Sequence, residues 1–592
     1  MAILHTGGTR LEPHVPKIPL NKPFLASLAV VFFIAMHFFM PNPGGSGLAL
    51  AFNPATWLAL SFTLSIGLYQ LATNRALLYS KLTIGLFVCV CLMTLPLLYG
   101  SATPSAALGR IIGLWLGFLL FVLLQQFRFS NKHKQRLLWF IVIAVFIEAL
   151  FGFYQYLYLE PNNLFGYDAI RNRPYGIFQQ PNVMASFLAT GLVTSGYLLA
   201  RQTNKYSKIS EISFLCLTPL LTATLLIIIA SRTGWLGAAI ALLFVLPYLY
   251  KYASTKRFIS WVVCCLIGIG LGFFATNLQG TSGLLSDKAD LESPRRYTFP
   301  QALDMVIEKP FTGYGYGNFE SEYILYTARQ HQLNPSYKAG LPAMDHPHNE
   351  LLFWGVEGGL IPILAIVLAA ALVLARIYYA KKGTRLAMFA LFVPIVLHSQ
   401  LEYPFYHSAI HWIIFMILLF WVDQRVANYK QIGFSKVSKS LLRISCLVLP
   451  LVTTIYMVSA LHTNYVLTQF ERSSPKEPEI LSRVTNPVVW KDRFDWDIYS
   501  TYLNIGLYKQ EPELIQPYID WSLGIIQSKP RPAFYSNLIL AYQGLDDTSR
   551  AEQIRAEALY LFPEKDFSMI QYKPRPDKQS TSVSTSEASK KP

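Results

Sequence analysis

The sequence predicts an all-α polytopic membrane protein: a bundle of about 13 spans with a large periplasmic loop and a C-terminal periplasmic helical domain of tetratricopeptide-like type. Three observations support this. Of 592 residues, 53% are hydrophobic and only 14% are charged, whereas soluble domains carry about 25% charged residues. Apolar runs recur with the length that crosses a bilayer. The loops between them alternate between basic and uncharged.

Each span requires about 20 predominantly apolar residues. The N-terminal stretch before the first run is polar, and no small-residue cleavage site follows that run, so we expect an uncleaved anchor rather than a signal peptide. The predicted spans lie near residues 23–40, 48–72, 81–99, 108–127, 137–158, 182–200, 211–230, 234–250, 258–276, 351–375, 386–400, 408–422 and 441–461.

The loop charges predict the orientation. With the N-terminus inside, five basic loops are cytoplasmic, as the positive-inside rule requires: 128–136, 201–208, 251–257, 381–385 and 423–439. The net charge of +16 therefore orients the chain in a lipid bilayer, and we expect no nucleic-acid partner. One predicted outer loop, 159–181, breaks the rule with Arg171 and Arg173. An outward arginine pair suggests an anionic ligand, although a solvated loop would look the same.

The predicted organisation has six parts. They are a cytoplasmic N-terminus (1–22), a first transmembrane part (23–276), a large periplasmic loop (277–350), a second transmembrane part (351–461), a periplasmic helical domain (462–573) and a disordered tail (574–592). Within the helical domain, 533–563 shows two helical patterns about a Gly-Leu-Asp-Asp turn.

No cofactor or metal is expected. The six cysteines all lie in apolar segments without zinc-ligand spacing, which favours a packing role. His346 and His348 are two residues apart and have no carboxylate or cysteine cluster to complete a ligand set. No phosphate-binding loop or nucleotide-sugar Asp-x-Asp motif stands out among the candidate site segments, so a nucleotide donor is not indicated.

The segment 343–359 is the most informative. Pro347 suits the first turn of a helix, which would place His348 and Asn349 in the opening turn of a span at the outer interface. There the helix dipole would keep His348 neutral and able to accept a proton, and open N–H groups could bind an anion. Alternatively, the histidines are capping residues only. Glu357 falls on another face, as a functional group or as a partner for a neighbouring helix.

Three further motifs begin apolar runs on the same predicted side. Gln180 precedes Pro181, Arg232 occupies a short turn, and Glu402 and Tyr403 occupy another with His407. Arginines there suit a phosphate or pyrophosphate. A neutral histidine suits deprotonation of a hydroxyl. The polar residues together indicate a reaction site on the outer face.

The segment HPHNELLFWGVEGGL (346–360) resembles the H-x-H-N-E motif of the Wzy-C/O-antigen ligase superfamily. Upstream, 293–319 is similar to that superfamily's entry to its large periplasmic loop. GIFQQPNVMASFLA (176–189) and QLEYPFYHSAIHW (400–412) resemble the PglL-type protein O-oligosaccharyltransferases. The resemblance covers roughly residues 165–415. Phe299 departs from the resemblance, since tryptophan is common at that position. Because Gln179 precedes Gln180, the motif does not show which of the two glutamines is the functional one.

The resemblance implies a glycosyltransferase in the bacterial inner membrane with its active face in the periplasm. It would move a glycan from an undecaprenyl-pyrophosphate-linked oligosaccharide onto a Ser or Thr hydroxyl of a secreted protein such as pilin. The implied catalytic residues are His348, Gln180 and Tyr403. The residues expected to bind substrate are Arg232, Arg295 or its rival Arg296, Asn349, Arg171, Arg173 and Glu402.

Three alternatives remain open at this stage. The nearest is an O-antigen ligase with a lipid A–core acceptor, or a polymerase. A lipid-glycan transporter is disfavoured because the polar residues gather at one face and no repeat is visible. A scaffold acting through the helical tail is the third.

Overall fold

The computed structural model describes residues 20–168, 173–202, 208–278 and 293–573. It confirms the all-α class, since the described residues are overwhelmingly helical. The two β-strands, Ala76–Tyr79 (β1) and Lys430–Gly433 (β2), form one short antiparallel ribbon in which Ala76 pairs with Gly433. The chain divides into two compact units, one combining Met1–Phe319 with His346–Lys491 and one combining Glu320–Asp345 with Asp492–Pro592.

The helices of the first unit form a bundle, and most of them are apolar. In order they are α1 (Asn21–Phe33), α2 (Phe52–Asn74), α3 (Lys81–Thr94), α4 (Pro104–Gln125), α5 (Asn131–Tyr158), α6 (Pro181–Arg201), α7 (Ile209–Ile229), α8 (Arg232–Tyr252), α9 (Thr255–Leu278), α10 (Arg295–Glu308), α11 (Phe319–Leu333, which runs into the second unit), α12 (Glu350–Gly358), α13 (Leu360–Tyr379), α14 (Arg385–Ser399), α15 (Pro404–His407), α16 (Ala409–Asp423) and α17 (Lys436–Arg472).

Ten helices among the described residues are long and apolar enough to cross a membrane, and Asn21–His37 and Ala409–Asp423 are shorter apolar helices. The chain is therefore a multi-pass membrane protein, but the predicted count of about 13 is not confirmed. The helix α14 illustrates why. At 15 residues it is about 22 Å long, whereas the hydrocarbon core is about 30 Å thick.

Two predicted spans have different bounds in the structure. The run 351–375 is divided between α12 and α13 at Gly359, whose φ is +71°. A Cβ there would lie 2.6 Å from the carbonyl oxygen of Pro310, so only glycine allows this break. The last span, predicted for 441–461, is part of the 37-residue helix α17.

The helix α6 is the centre of the bundle, and every residue in its apolar window is buried. Small residues allow its neighbours to approach. A Cβ at Gly191 would meet Val145 of α5, and one at Gly234 of α8 would meet Ala185. Because α6 is fixed on all sides, its N-terminal end is a rigid platform for the polar residues that precede it.

The second unit combines most of α11 with four helices: α18 (Lys491–Lys509), α19 (Pro512–Ile525), α20 (Pro532–Gly544) and α21 (Thr548–Leu561). The guanidinium of Arg531 donates to both carboxylate oxygens of Glu320, at 2.6 and 2.8 Å, and so ties α11 to α20. The two predicted helices within 533–563 are present as α20 and α21. The side chain of Asp547 caps the second of these.

Candidate functional site

The helices α6, α8 and α12 each follow a residue whose side chain caps the helix start. Gln180 accepts from the backbone N–H of Asn182 at 2.8 Å at the start of α6. Ser231 accepts from Gly234 at 3.2 Å at the start of α8. Asn349 accepts from Leu352 at 3.0 Å at the start of α12. The predicted start at Pro181 agrees with the structure. Arg232, predicted to lie in a short turn before a span near 234–250, is instead the first residue of α8.

Glu402 joins these helix starts. Its side chain is buried, with 5% of the residue exposed. One carboxylate oxygen, Oε2, lies 2.7 Å from Nδ1 of His348. The other, Oε1, accepts from the guanidinium of Arg295 and, at 3.1 Å, from the amide of Asn182. One buried carboxylate therefore contacts a histidine, an arginine and the first turn of α6.

His348 is oriented by this contact. Because Nδ1 faces a carboxylate, Nδ1 carries the proton in the neutral ring and the lone pair is left on Nε2. The side chain is about one third exposed, 34%. A ring with a fixed tautomer, an accepting Nε2 and partial access to solvent is the arrangement that a general base requires.

The prediction that Pro347 starts a helix with His348 and Asn349 in its first turn is wrong. The helix α12 begins at Glu350, Asn349 is its cap, and His348 has a left-handed φ of +59°. Asparagine is among the strongest N-cap residues, so it displaces the weaker proline signal. The contact with Glu402, rather than a place in the first turn, therefore determines which ring nitrogen of His348 keeps its lone pair.

Of the two rival loop arginines, Arg295 contacts the site. It begins α10 and forms the ion pair with Glu402, whereas Arg296 is exposed. Arg232 is the first residue of α8, directly after Ser231. The structure thus brings Arg295 to His348 through Glu402 and places Arg232 at the start of a neighbouring helix.

Arg173 has a different environment from the one expected for a ligand-binding arginine. Its Nη1 donates to the carbonyl oxygens of Ile229 and Ala230, at 2.9 and 3.0 Å. These carbonyls end α7, immediately before Ser231. Burial lowers the pKa of Arg173. The guanidinium therefore stabilises the turn that leads into Arg232, and Arg171 lies outside the described residues.

Asn182 is a contact that sequence reasoning missed. The side-chain oxygen of Asn182, Oδ1, accepts from Ser231 Oγ at 2.8 Å, and its side-chain nitrogen, Nδ2, donates to Glu402. It thereby links α6, α8 and the buried carboxylate. The signal was available, since Asn182 is the third residue of the Gln-Pro-Asn segment that Gln180 begins.

Aromatic rings surround the histidine. The Tyr403 ring centroid lies 5.1 Å from that of His348 and 5.3 Å from that of His346. The amide of Asn349 donates to the carbonyl oxygen of Gln400 at 3.0 Å, which fixes the start of α12 against the segment that carries Glu402 and Tyr403.

Glu357 lies away from this site and serves helix pairing. It accepts from the guanidinium of Arg110 and from the backbone N–H groups of Gly317 and Phe319, at 3.1 and 3.3 Å. The Arg110 guanidinium also lies over the rings of Tyr316, Phe353 and Trp354, each within 5 Å of the ring centroid. Arg110 was not predicted because it lies inside an apolar run.

Three families match parts of the chain. "Virulence factor membrane-bound polymerase, C-terminal" matches residues 386–576, "O-Antigen ligase" matches 217–367, and "Protein glycosylation ligase" matches 174–199. The O-antigen ligase match includes Arg232, Arg295 and His348, and the protein glycosylation ligase match includes Gln180.

Two curated proteins of Acinetobacter baylyi are similar to the chain. The ComP-specific O-oligosaccharyltransferase is 23% identical over 397 residues, which cover 64% of this chain and 67% of that protein. The general O-oligosaccharyltransferase is 26% identical over 333 residues, which cover 52% of this chain and 54% of that protein. The chain thus matches about two thirds of one relative and about half of the other. These matches confirm the predicted resemblance: the chain is a relative of the O-antigen ligases and protein glycosylation ligases.

Proposed function

We propose that this chain is an O-oligosaccharyltransferase that moves a glycan from undecaprenyl pyrophosphate onto Ser or Thr hydroxyls of secreted proteins such as pilin. The observation that carries the proposal is the Glu402 carboxylate, shared between a histidine and an arginine. It couples a base to a cation that suits a pyrophosphate. The relatives named O-oligosaccharyltransferases support the same reaction class.

In the proposed reaction, Nε2 of His348 takes the proton from the acceptor hydroxyl. The hydroxyl oxygen forms a bond to the anomeric carbon of the donor, and the bond from that carbon to the lipid pyrophosphate breaks. The electron pair leaves with the pyrophosphate, whose negative charge Arg295 and Arg232 stabilise. The imidazolium formed on His348 is stabilised by Glu402, as a buried carboxylate stabilises the histidine of a serine-protease triad.

Glu402 thereby receives a role different from substrate binding. Its two oxygens are occupied by protein donors, so it orients His348 and holds Arg295 near the reacting groups. Gln180 and Tyr403 lie at the same group of helix starts and position donor or acceptor. Asn349 acts on the site through the backbone of α12.

A mass measurement tests the activity. The chain, a lipid-linked glycan and a secreted Ser/Thr acceptor are co-expressed, and the intact mass of the acceptor is compared with and without the chain. We expect a glycan-sized increase that His348→Ala abolishes. His133→Ala, in the predicted cytoplasmic loop, is the matched control and should retain transfer. Persistent glycosylation by a well-expressed His348→Ala variant would disprove the role of His348.

The O-antigen ligase match at 217–367 supports a second candidate, transfer to lipid A–core. The same co-expression distinguishes the two acceptors. A protein O-oligosaccharyltransferase modifies the secreted protein in a strain that lacks lipid A–core acceptor sugar. An O-antigen ligase leaves the protein unmodified and extends lipopolysaccharide in a strain that has the sugar.

We further propose that the chain lies in the bacterial inner membrane with this site on the periplasmic face. The two ends of α5 provide a test, because Lys132 lies in its first turn, Glu160 lies two residues after its last residue, and both are exposed. In a background without the native cysteines, Glu160→Cys should react with a membrane-impermeant maleimide in intact spheroplasts, and Lys132→Cys only after permeabilisation. The reverse pattern would invert the topology.

A further inference from the structure

His346 contacts the backbone of His348, and the centroids of the two rings are 6.4 Å apart. Its Nδ1 accepts the backbone N–H of His348 at 2.9 Å. That N–H belongs to a residue with a left-handed φ of +59°, a conformation that residues with a Cβ seldom adopt and that needs support from its surroundings. The histidine two residues earlier supplies part of that support.

This contact determines which nitrogen of His346 carries a proton. Since Nδ1 accepts, a neutral ring is protonated on Nε2. The ring is held in place by its neighbours: its centroid lies 4.4 Å from that of Phe353 and 5.3 Å from those of Tyr403 and Tyr406. The residue is only 5% exposed, so these neighbours confine the ring.

The far side of the ring faces Glu350. Nε2 of His346 and Oε2 of Glu350 are 3.9 Å apart, and both are buried without a hydrogen-bond partner in the described part of the chain. The other oxygen of Glu350 accepts from Trp354 at 2.7 Å and from Tyr406 at 2.8 Å. Burial lowers the pKa of His346 well below its usual value and raises that of Glu350. His346 is therefore neutral near pH 7.

We propose that His346, in its Nε2-protonated neutral form, is a positioning residue that fixes the backbone of His348 and thereby the direction of the His348 ring. This inference rests on the proposed function, in which His348 is the base. His346 itself touches neither donor nor acceptor. Its function is to make the left-handed turn at His348 the single conformation from which Nδ1 reaches Glu402.

Three substitutions of His346 test this role. The oxygen of Asn is attached at the same carbon position as Nδ1 of histidine, whereas the oxygen of Gln is one bond further out, at the reach of Nε2. We therefore expect His346→Asn to keep most of kcat. His346→Gln and His346→Ala should lower kcat by roughly 100-fold, the cost of about 1 Å of misplacement, with the KM for the lipid-linked donor unchanged. Thermal unfolding in detergent identifies any variant that fails to fold.

A second measurement requires no variant activity. In the full chain labelled with ¹⁵N-histidine, the His346 signals, assigned by their loss in His346→Asn, should show a proton on Nε2 and none on Nδ1 at pH 7. A proton on Nδ1 would overturn the proposal, because that nitrogen could not accept the His348 N–H.

The activities of the His346 variants also test whether the backbone contact between His346 and His348 is needed. Higher activity of His346→Asn than of His346→Gln supports the backbone contact. Equal activity of the Asn and Gln variants, whether high or low, contradicts it. If the wild-type chain glycosylated no acceptor, the proposed function would fail, but the tautomer of His346 would still report whether the contact exists.

Discussion

Glu402→Gln is the substitution that tests the site most directly. It preserves the size of the side chain and removes the charge shared by His348 and Arg295. The imidazolium that forms during transfer then loses its carboxylate partner, whereas the neutral ground state loses less. The substitution should therefore lower kcat.

The magnitude follows from the contact. A hydrogen bond to a charged group contributes about 1.5–3 kcal/mol, and about 1.4 kcal/mol corresponds to a tenfold change in rate. Since the side chain of His348 is 34% exposed, solvent offsets part of the loss. We expect kcat to fall by about 10- to 100-fold. The KM for the donor should stay level or fall, because Arg295 no longer faces a competing carboxylate.

The assay is a time course of acceptor glycosylation with purified chain, quantified by intact mass at varied donor concentration. Asp423→Asn is the matched control. Asp423 is also a fully buried carboxylate next to an arginine, with Oδ1 3.4 Å from Nε of Arg376, but it lies at the opposite end of α16 from the Glu402 segment. It should lower thermal stability and leave kcat per folded molecule unchanged.

Two outcomes would refute the reasoning. A Glu402→Gln variant with wild-type kcat would show that the carboxylate does not assist His348. A large rise in donor KM at constant kcat would show that Glu402 binds substrate instead, as the resemblance alone implied. Equal losses in Glu402→Gln and Asp423→Asn would indicate a general effect of removing a buried charge.

Three further predictions concern the support of the site. Arg110→Met leaves the buried Glu357 carboxylate unpaired and should destabilise the fold by about 3–5 kcal/mol; adding Glu357→Gln should restore part of this in a thermal-unfolding cycle. Burial lowers the pKa of His407 below 6.5, so on acidification the imidazole takes up a proton at a higher pH in the unfolded chain than in the folded one. The free energy of unfolding should therefore fall as the pH drops below about 6.5. His407→Gln, which can still donate to Phe178, should flatten that slope in melting curves between pH 5 and 8. Gly359→Ala, whose Cβ would collide with backbone oxygens, should lower the melting temperature, and an unchanged value would contradict the strained break between α12 and α13.

The starts of α6 and α8 have local causes, although only the start at Pro181 was predicted from the sequence. Gln180 precedes Pro181, and Ser231 precedes Arg232, so a capping side chain or an N1 proline marks each start within two residues. The start of α12 was predicted too early because Pro347 and Asn349 both signal a helix start. The spacing of the residues alone does not show which of the two signals is stronger. The left-handed turn that results is stabilised by His346 and Glu402, and the Glu402 contact is 54 residues away.

The contacts that could not be predicted join distant segments. Arg110 and Glu357 are 247 residues apart, and Arg110 lies in a run whose composition predicts a lipid-facing span. Arg173 looked like an outward cation available for an anion, but its guanidinium stabilises the carbonyl end of α7. In both cases the arginine itself indicated that a polar partner was needed. The identity of that partner depended on how the helices pack, which cannot be read from the hydrophobic periodicity of the sequence.

The capped helix starts also change how an anion would be held. The sequence suggested that open N–H groups in the first turn of the His348 helix could bind it. In the structure, Gln180, Ser231 and Asn349 each accept one first-turn N–H with their own side chains, which leaves fewer donors for a ligand. In the proposed function, the pyrophosphate would therefore rely more on guanidinium groups than on helix N–H groups. Because Arg295 shares Glu402 with His348, a donor that engages this arginine also alters the charge facing the base, so donor binding and proton transfer are coupled through one carboxylate.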